Sequence, residues 1–204
     1  RWHAPAVDRG EGVRDPHWRE KLDREYQFGI VFDKTHRMLI GGTPRGYSFV
    51  WYGRQGQGME AFPHRLNVEL RDRLPRDMRL VEYRLHWPDE LGTDDPAFDP
   101  DQSFREMYEH GVGVGDWRDI ARKIKLDASG AQKALVYFRH RVITNPQVFN
   151  RRFLKAYLLW WDLNLPRLLG PGQYGLLGVS YQSQDPDKFR RIVTEELKLE
   201  LLEY

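Results

Sequence analysis

Three kinds of residue in this chain have types and spacings that could do chemistry: glycines ahead of a helix start, clustered acids, and histidines and arginines on strands. His110–Trp117 reads HGVGVGDW and runs into a helix start at Asp116, where backbone N–H groups can hold an anion. A dinucleotide fingerprint would need a strand before it and a glycine three residues after the second one. Here a helix is expected before it, glycine recurs at every second position, and no Lys-Ser/Thr follows. The stretch reads as a connector with helix-breaking glycines.

The acids Asp94, Asp95, Asp99 and Asp101 raise calcium, which takes several oxygen ligands. Counted from Asp99, the sixth position is Phe104 rather than glycine, and no Glu stands at the twelfth. Asp beside Pro favours turns, so solvated turns and helix caps account for the run. The seven histidines, His3, His17, His36, His64, His86, His110 and His140, form no HExxH and no close pair, which leaves zinc without local support. None of Ser48, Ser103, Ser129, Ser180 and Ser183 occupies GxSxG, the nucleophile elbow of one hydrolase class. The absence of cysteine removes disulfides, thiolate catalysis, zinc fingers and iron–sulfur clusters. No catalytic residue, metal or cofactor is expected from these patterns.

What remains is a contact chemistry. Of the 32 basic residues, 24 are arginine, yet 30 acids leave a net charge of only +2. Phosphate neutralisation needs an excess of cations, so a protein partner is expected ahead of nucleic acid. In Arg139-His140-Arg141, strand alternation points both arginines to one face and His140 to the other. Tyr52 faces away from Trp51 and lies beside Arg54, and Trp, Tyr and Arg dominate interface hot spots. Tyr52, Arg54, Arg139 and Arg141 are therefore the expected partner-binding residues.

The elements that must position them read as follows. Residues 1–24 are a polar, turn-rich arm, with a short helix around Trp18–Arg24 and with Trp2 and Trp18 tacking it down. Residues 25–204 form a single domain. Tyr26, Phe28, Ile30 and Phe32 alternate with polar or small residues, as a half-buried strand would. A turn at Asp33–His36 returns the chain through Met38 and Ile40. Tyr47–Tyr52 is aromatic and β-prone, Gly53–Gly58 is a flexible loop, and Leu66, Val68 and Leu70 alternate again. With Met78–Trp87 these make an N-terminal antiparallel β-meander. Residues 88–101 are an acidic loop. Asp101 or Ser103 caps a helix to about His110, and Asp116 caps another through Lys125. Ala134–Ile143 and Tyr174–Gln182 are two further strands. Asp185 opens a last helix, and residues 197–204 suit helix or strand.

Between the two later strands lies a central helix with Asn145 as cap and Pro146 at its first position. Phe149, Phe153, Ala156, Trp160 and Leu163 form one apolar row, and Leu154, Leu158, Trp161 and Leu165 form a second. A helix apolar on nearly every side is buried. Strands first and helices after argue for an α+β fold packed around this helix. No run of about 18 apolar residues suggests a membrane span. A chain that starts at Arg1 fits removal of a leader, so an exported or periplasmic setting is expected ahead of a cytoplasmic one.

No motif here resembles a known family. The expected function is a non-enzymatic bacterial binding protein, such as an inhibitor, immunity-type or secretion-accessory factor. One alternative is a hydrolase-type enzyme assembled from dispersed residues such as His140, Asp162 or the carboxylates of residues 89–101. The other is a nucleic-acid module using Arg139, Arg141, Arg151 and Arg152.

Overall fold

Phe28, Val31, Thr35 and Met38 are all buried, and their spacing of three and four residues is that of one helix face. In the computed structural model, Glu25–Gly41 is accordingly a helix, α1, and not two strands. Ala61–Arg73 is a second helix, α2, which buries Phe62, Leu66, Asn67 and Leu70 while Val68 faces outward. The alternation read over residues 66–70 covers five positions only, and the longer period of about 3.6 residues wins once the whole segment packs. The structure describes residues 25–42, 45–54, 59–88, 99–146, 148–149, 151–191, 194 and 201–203. The arm 1–24 with its Trp18–Arg24 helix, Asp94 and Asp95, and residues 197–200 lie outside that set.

The strands are β1 (Gly46–Gly53), β2 (Met78–Leu85), β3 (Lys133–His140), β4 (Gln173–Gln182) and the short β5 (Leu201–Glu203). They form one sheet in the order β2-β3-β4-β1-β5, and every pairing is parallel. The antiparallel meander and the α+β class are thus corrected to an α/β fold. Parallel strands are covered on both faces and read as near-continuous apolar runs. YSFVWY, ALVYF and GLLGVSY are such runs.

α1 and α2 cover one face, where Phe62 stacks on Trp51 at 4.2 Å and on Phe28 at 4.8 Å between ring centroids. The other face carries α3 (Pro100–Val112), α4 (Ile120–Asp127) with a 3₁₀ turn at Trp117–Asp119 before it, α5 (Arg151–Leu168) and α6 (Pro186–Arg191). This division follows from handedness. The chain crosses from β1 to the β2 edge through α2, then returns through β3, β4 and β5 with its helices on the opposite face, as right-handed crossovers require.

α5 is the helix that was expected at the centre, but the sheet occupies the centre and α5 lies against it. Trp161 is buried against Phe138 and Tyr108, and buried Trp160 donates from Nε1 to Asp101 Oδ1 at 2.5 Å. Leu159 and Leu163 face out, so the helix is not buried all round. It begins at Arg151 rather than Pro146. At its other end, Arg45 donates to the carbonyls of Leu169 (3.0 Å), Gly170 and Gln173 (3.1 Å), which satisfies a helix terminus otherwise short of donors.

Candidate functional site

The sheet reverses direction at the β4/β1 pair: the chain leaves β1 toward β2 and leaves β4 toward β5 on the other side. Open α/β sheets bind ligands outside the C-terminal strand ends at such a switch point. Ser183 N–H donates to Gly53 O at 2.9 Å there. The chain after β3 folds over the neighbouring end, with Ile143 N–H on Ser180 O and Gln182 N–H on Ile143 O, both at 2.9 Å.

The connection from β1 to α2 leaves this place at Gly53 and reads Gly53-Arg-Gln-Gly-Gln-Gly58-Met59-Glu60. A strand, a G-x-x-x-x-G loop and a helix are the build of a phosphate loop, which continues with Lys and Ser/Thr. Here Met59 and Glu60 stand in those two positions. Met59 is 5% exposed and belongs to the apolar cluster of Phe62 and Leu66. Glu60 is exposed at the head of α2 and caps nothing with its side chain. The loop lacks the cation that reaches phosphate oxygens and the hydroxyl that holds magnesium. The strand-end Asp that such sites use is also missing at β2, β3 and β4, which close on Leu85, His140 and Gln182. Asp185 beyond β4 accepts from Lys188 N–H at 3.0 Å as a helix cap. The residues present do not fit a magnesium–nucleotide complex.

The four partner-binding residues fall in different environments. Tyr52 is 1% exposed, against Phe189 at 5.3 Å. Arg139 is buried and pairs through Nε with Glu82 Oε1 at 3.1 Å. Asn67 on α2 donates to the same carboxylate, and Arg71 Nε donates to Asn67 Oδ1 at 3.0 Å. Arg54 and Arg141 are exposed. Arg141 lies just past β3, with its N–H on Leu85 O at 2.9 Å.

His140 and Asp162 are not brought together. His140 is 1% exposed, its Nε2 is 2.8 Å from Tyr157 Oη, and Tyr157 Oη is 2.9 Å from Tyr108 Oη. Its Nδ1 has no partner among the described residues. Burial, and to a lesser degree the charge of His86, push the imidazole down to about 3. A general base needs a pKa near the working pH, and this histidine is held neutral as packing. Asp162 stands on the exposed side of α5, its carboxyl raised above its ordinary value by desolvation. Asp99 caps α3 by accepting from Asp101 N–H at 3.0 Å. Among the described residues no three potential ligands gather for a metal, and no helix is long and apolar enough to cross a membrane.

The sequence matches no family model and no curated protein. Among solved structures it is similar to chains of Drosophila ORC bound to poly(dA/dT) DNA and Cdc6 (TM-score 0.44, 10% identity, 99% of this chain and 34% of that one). It is also similar to chains of Drosophila ORC bound to DNA (TM-score 0.44, 15% identity, 89% and 42%). A third is Drosophila ORC bound to GC-rich DNA and Cdc6 (TM-score 0.45, 9% identity, 100% and 35%). The chain therefore spans 34–42% of the length of these solved chains.

Proposed function

We propose that this chain is a binding module with a phosphate-loop build that does not perform nucleotide chemistry and acts through a protein–protein interface. The supporting observation is the pair Met59-Glu60 at the head of α2. A buried thioether replaces the phosphate-reaching cation, and a carboxylate occupies the helix end that would otherwise favour an anion. The outer side of α5 offers a surface for a partner. Leu159 and Leu163, one helical turn apart, are 55% and 77% exposed, and exposed Arg152, Lys155 and Asp162 flank them. Apolar patches rimmed by charge mark interaction sites.

The test is affinity purification of the full chain from its source organism, beside the Leu159→Glu/Leu163→Glu variant. The expected result is a stoichiometric protein retained by the wild type and lost by the variant at unchanged melting temperature. A chain that elutes alone and monomeric in both forms contradicts the reading. The exposed Arg54, Arg84 and Arg141 at the C-terminal strand ends support a runner-up, nucleic-acid contact, which would show as affinity falling steeply with added salt.

A further inference from the structure

β2 stands at one end of the sheet order, so its outer edge has no neighbouring strand among the described residues. Asp77 O accepts from Lys133 N–H, Leu85 O accepts from Arg141 N–H, and the β2–β3 register runs unbroken between them. The backbone groups of odd-numbered residues therefore face β3, and those of Leu80 and Glu82 face outward. Neither residue has a backbone partner on that side among the described residues. Beside them a groove of about 350 Å³ lies along Arg79–Tyr83, walled by the end of α4 at Leu126, Asp127 and Ser129. Leu126 is 66% exposed at that wall. An edge with open N–H and C=O groups is a template for another strand, and the apolar side chain beside it adds surface to cover.

We propose that this edge receives a second copy of the chain, β2 against β2 in antiparallel, about a two-fold axis at Val81. The strand complements itself better in this register than in any neighbouring one. A two-fold axis normal to the sheet keeps the faces matched, so each candidate register is centred on a single residue. Centring on Leu80 sets Glu82 opposite Met78, whose N–H is taken by Pro75 O at 2.9 Å. Centring on Glu82 opposes two carboxylates, and centring on Arg84 opposes two guanidiniums. Centring on Tyr83 needs the Arg84 carbonyl, against which Gly111 of α3 packs so closely that a Cβ would lie 2.9 Å away. Centring on Val81 opposes Leu80 and Glu82 of the two copies, and each such pair exchanges two backbone bonds between the open groups. Arg79 then stands opposite a tyrosine. The two Glu82 carboxylates become diagonal neighbours, each already held by Arg139 at 3.1 Å and Arg84 at 3.8 Å. The overlap is short, so the dimer is a weak one that forms at high concentration. This edge is separate from the outer side of α5, and neither reading rests on the other.

The absence of cysteine from the chain makes single-cysteine variants of the full chain a clean test. Val81→Cys puts a thiol on the axis, where opposed Cα atoms of a non-hydrogen-bonded pair stand about 4.5 Å apart, within disulfide reach. Arg79→Cys and Arg84→Cys are comparisons at exposed positions, which this register holds well beyond the bridging limit of about 7 Å. Val81 is only 7% exposed, so random collision would favour the comparisons. The expected result under mild oxidation is a covalent dimer formed at least about tenfold faster from Val81→Cys than from either of them. Sedimentation of the wild type between about 10 µM and 1 mM should show a reversible dimer. Leu80→Pro, which removes only an outward N–H, should abolish it. Three results would each overturn the proposal: a wild type monomeric across that range, a covalent dimer formed fastest from Arg79→Cys or Arg84→Cys, or an unchanged dimer in folded Leu80→Pro. If Leu80→Pro does not fold, the cysteine comparison decides alone.

Discussion

Two glycine-rich stretches invite the same reading and turn out to be different objects. In residues 110–115, Gly111 has a packing duty and Gly113 a termination duty, while a Cβ on Gly115 would meet nothing within 4 Å. A Cβ on Gly111 would meet Leu85 Cδ2 at 2.4 Å and Arg84 O at 2.9 Å, so α3 crosses β2 there only because the side chain is missing. Gly113 ends α3 with φ of 79° and its N–H on Glu109 O at 2.9 Å, the left-handed stop that glycine makes without strain. Residues 53–58 instead leave a parallel strand at the switch point and enter a helix, which is the setting of a phosphate loop. Glycine density is the same in the two stretches, three in six residues, but the context that gives glycine a phosphate-binding meaning belongs to the second. What the second lacks is the chemistry at its end.

That contrast can be broken or sharpened by mutation. The largest effect is expected from Met59→Lys, which puts an ammonium where a buried thioether packs and should cost about 2–4 kcal/mol of unfolding free energy. Denaturant melts would check it, and a neutral result would mean that position 59 is free to face the loop. Gly111→Ala should cost about 1–3 kcal/mol by overpacking against Leu85 and the Arg84 carbonyl. An unchanged melting temperature would remove the packing role assigned to the first stretch.

Beneath α3, the Tyr108–Tyr157–His140 chain predicts a pH signature. Folded His140 stays neutral down to about pH 3, against an ordinary value of 6.5. As pH falls between those values the unfolded chain takes up a proton that the folded one does not, and stability drops by up to about 1.4 kcal/mol per pH unit. Above 6.5 the group contributes no slope. His140→Gln should flatten the wild-type curve in that window, and parallel curves would contradict a neutral, buried imidazole. The smallest effect is Gly113→Ala, roughly 1–2 kcal/mol for a left-handed residue that gains a Cβ. It should leave neighbouring packing unchanged by hydrogen exchange.

Much of the molecule outside α1 and α2 was legible in the sequence. The tandem tryptophans mark α5, Asp116 accepts from Arg118 N–H at 2.8 Å ahead of α4, and the strands at 78–85, 133–140 and 173–182 stand within a few residues of where their apolar runs put them. The two helices of the first half, α1 and α2, were misread for one physical reason. Period-two alternation over Tyr26–Phe32 and Leu66–Leu70 occurs within segments whose buried residues recur every three or four, and Val31, fully buried, already breaks the strand pattern. Once Leu66–Leu70 is taken for a strand, the preceding Gly53–Gly58 is only a loop between strands, and the phosphate-loop build disappears from view.

The same error misplaced the contact residues. Alternation nominates a surface side chain only where one sheet face meets water. Here both faces are covered, so Tyr52 and Arg139 point into opposite halves of one interior. Arg54 and Arg141 are exposed because they lie just past the strand ends.

The most direct test is a calorimetric titration of the wild-type chain with magnesium–ATP and magnesium–GTP, beside Met59→Lys/Glu60→Thr. The account predicts no saturable binding by the wild type below about 1 mM, less than roughly 4 kcal/mol of binding free energy, with measurable affinity appearing only in folded double variant. Micromolar binding or turnover of either nucleotide by the wild type would contradict it.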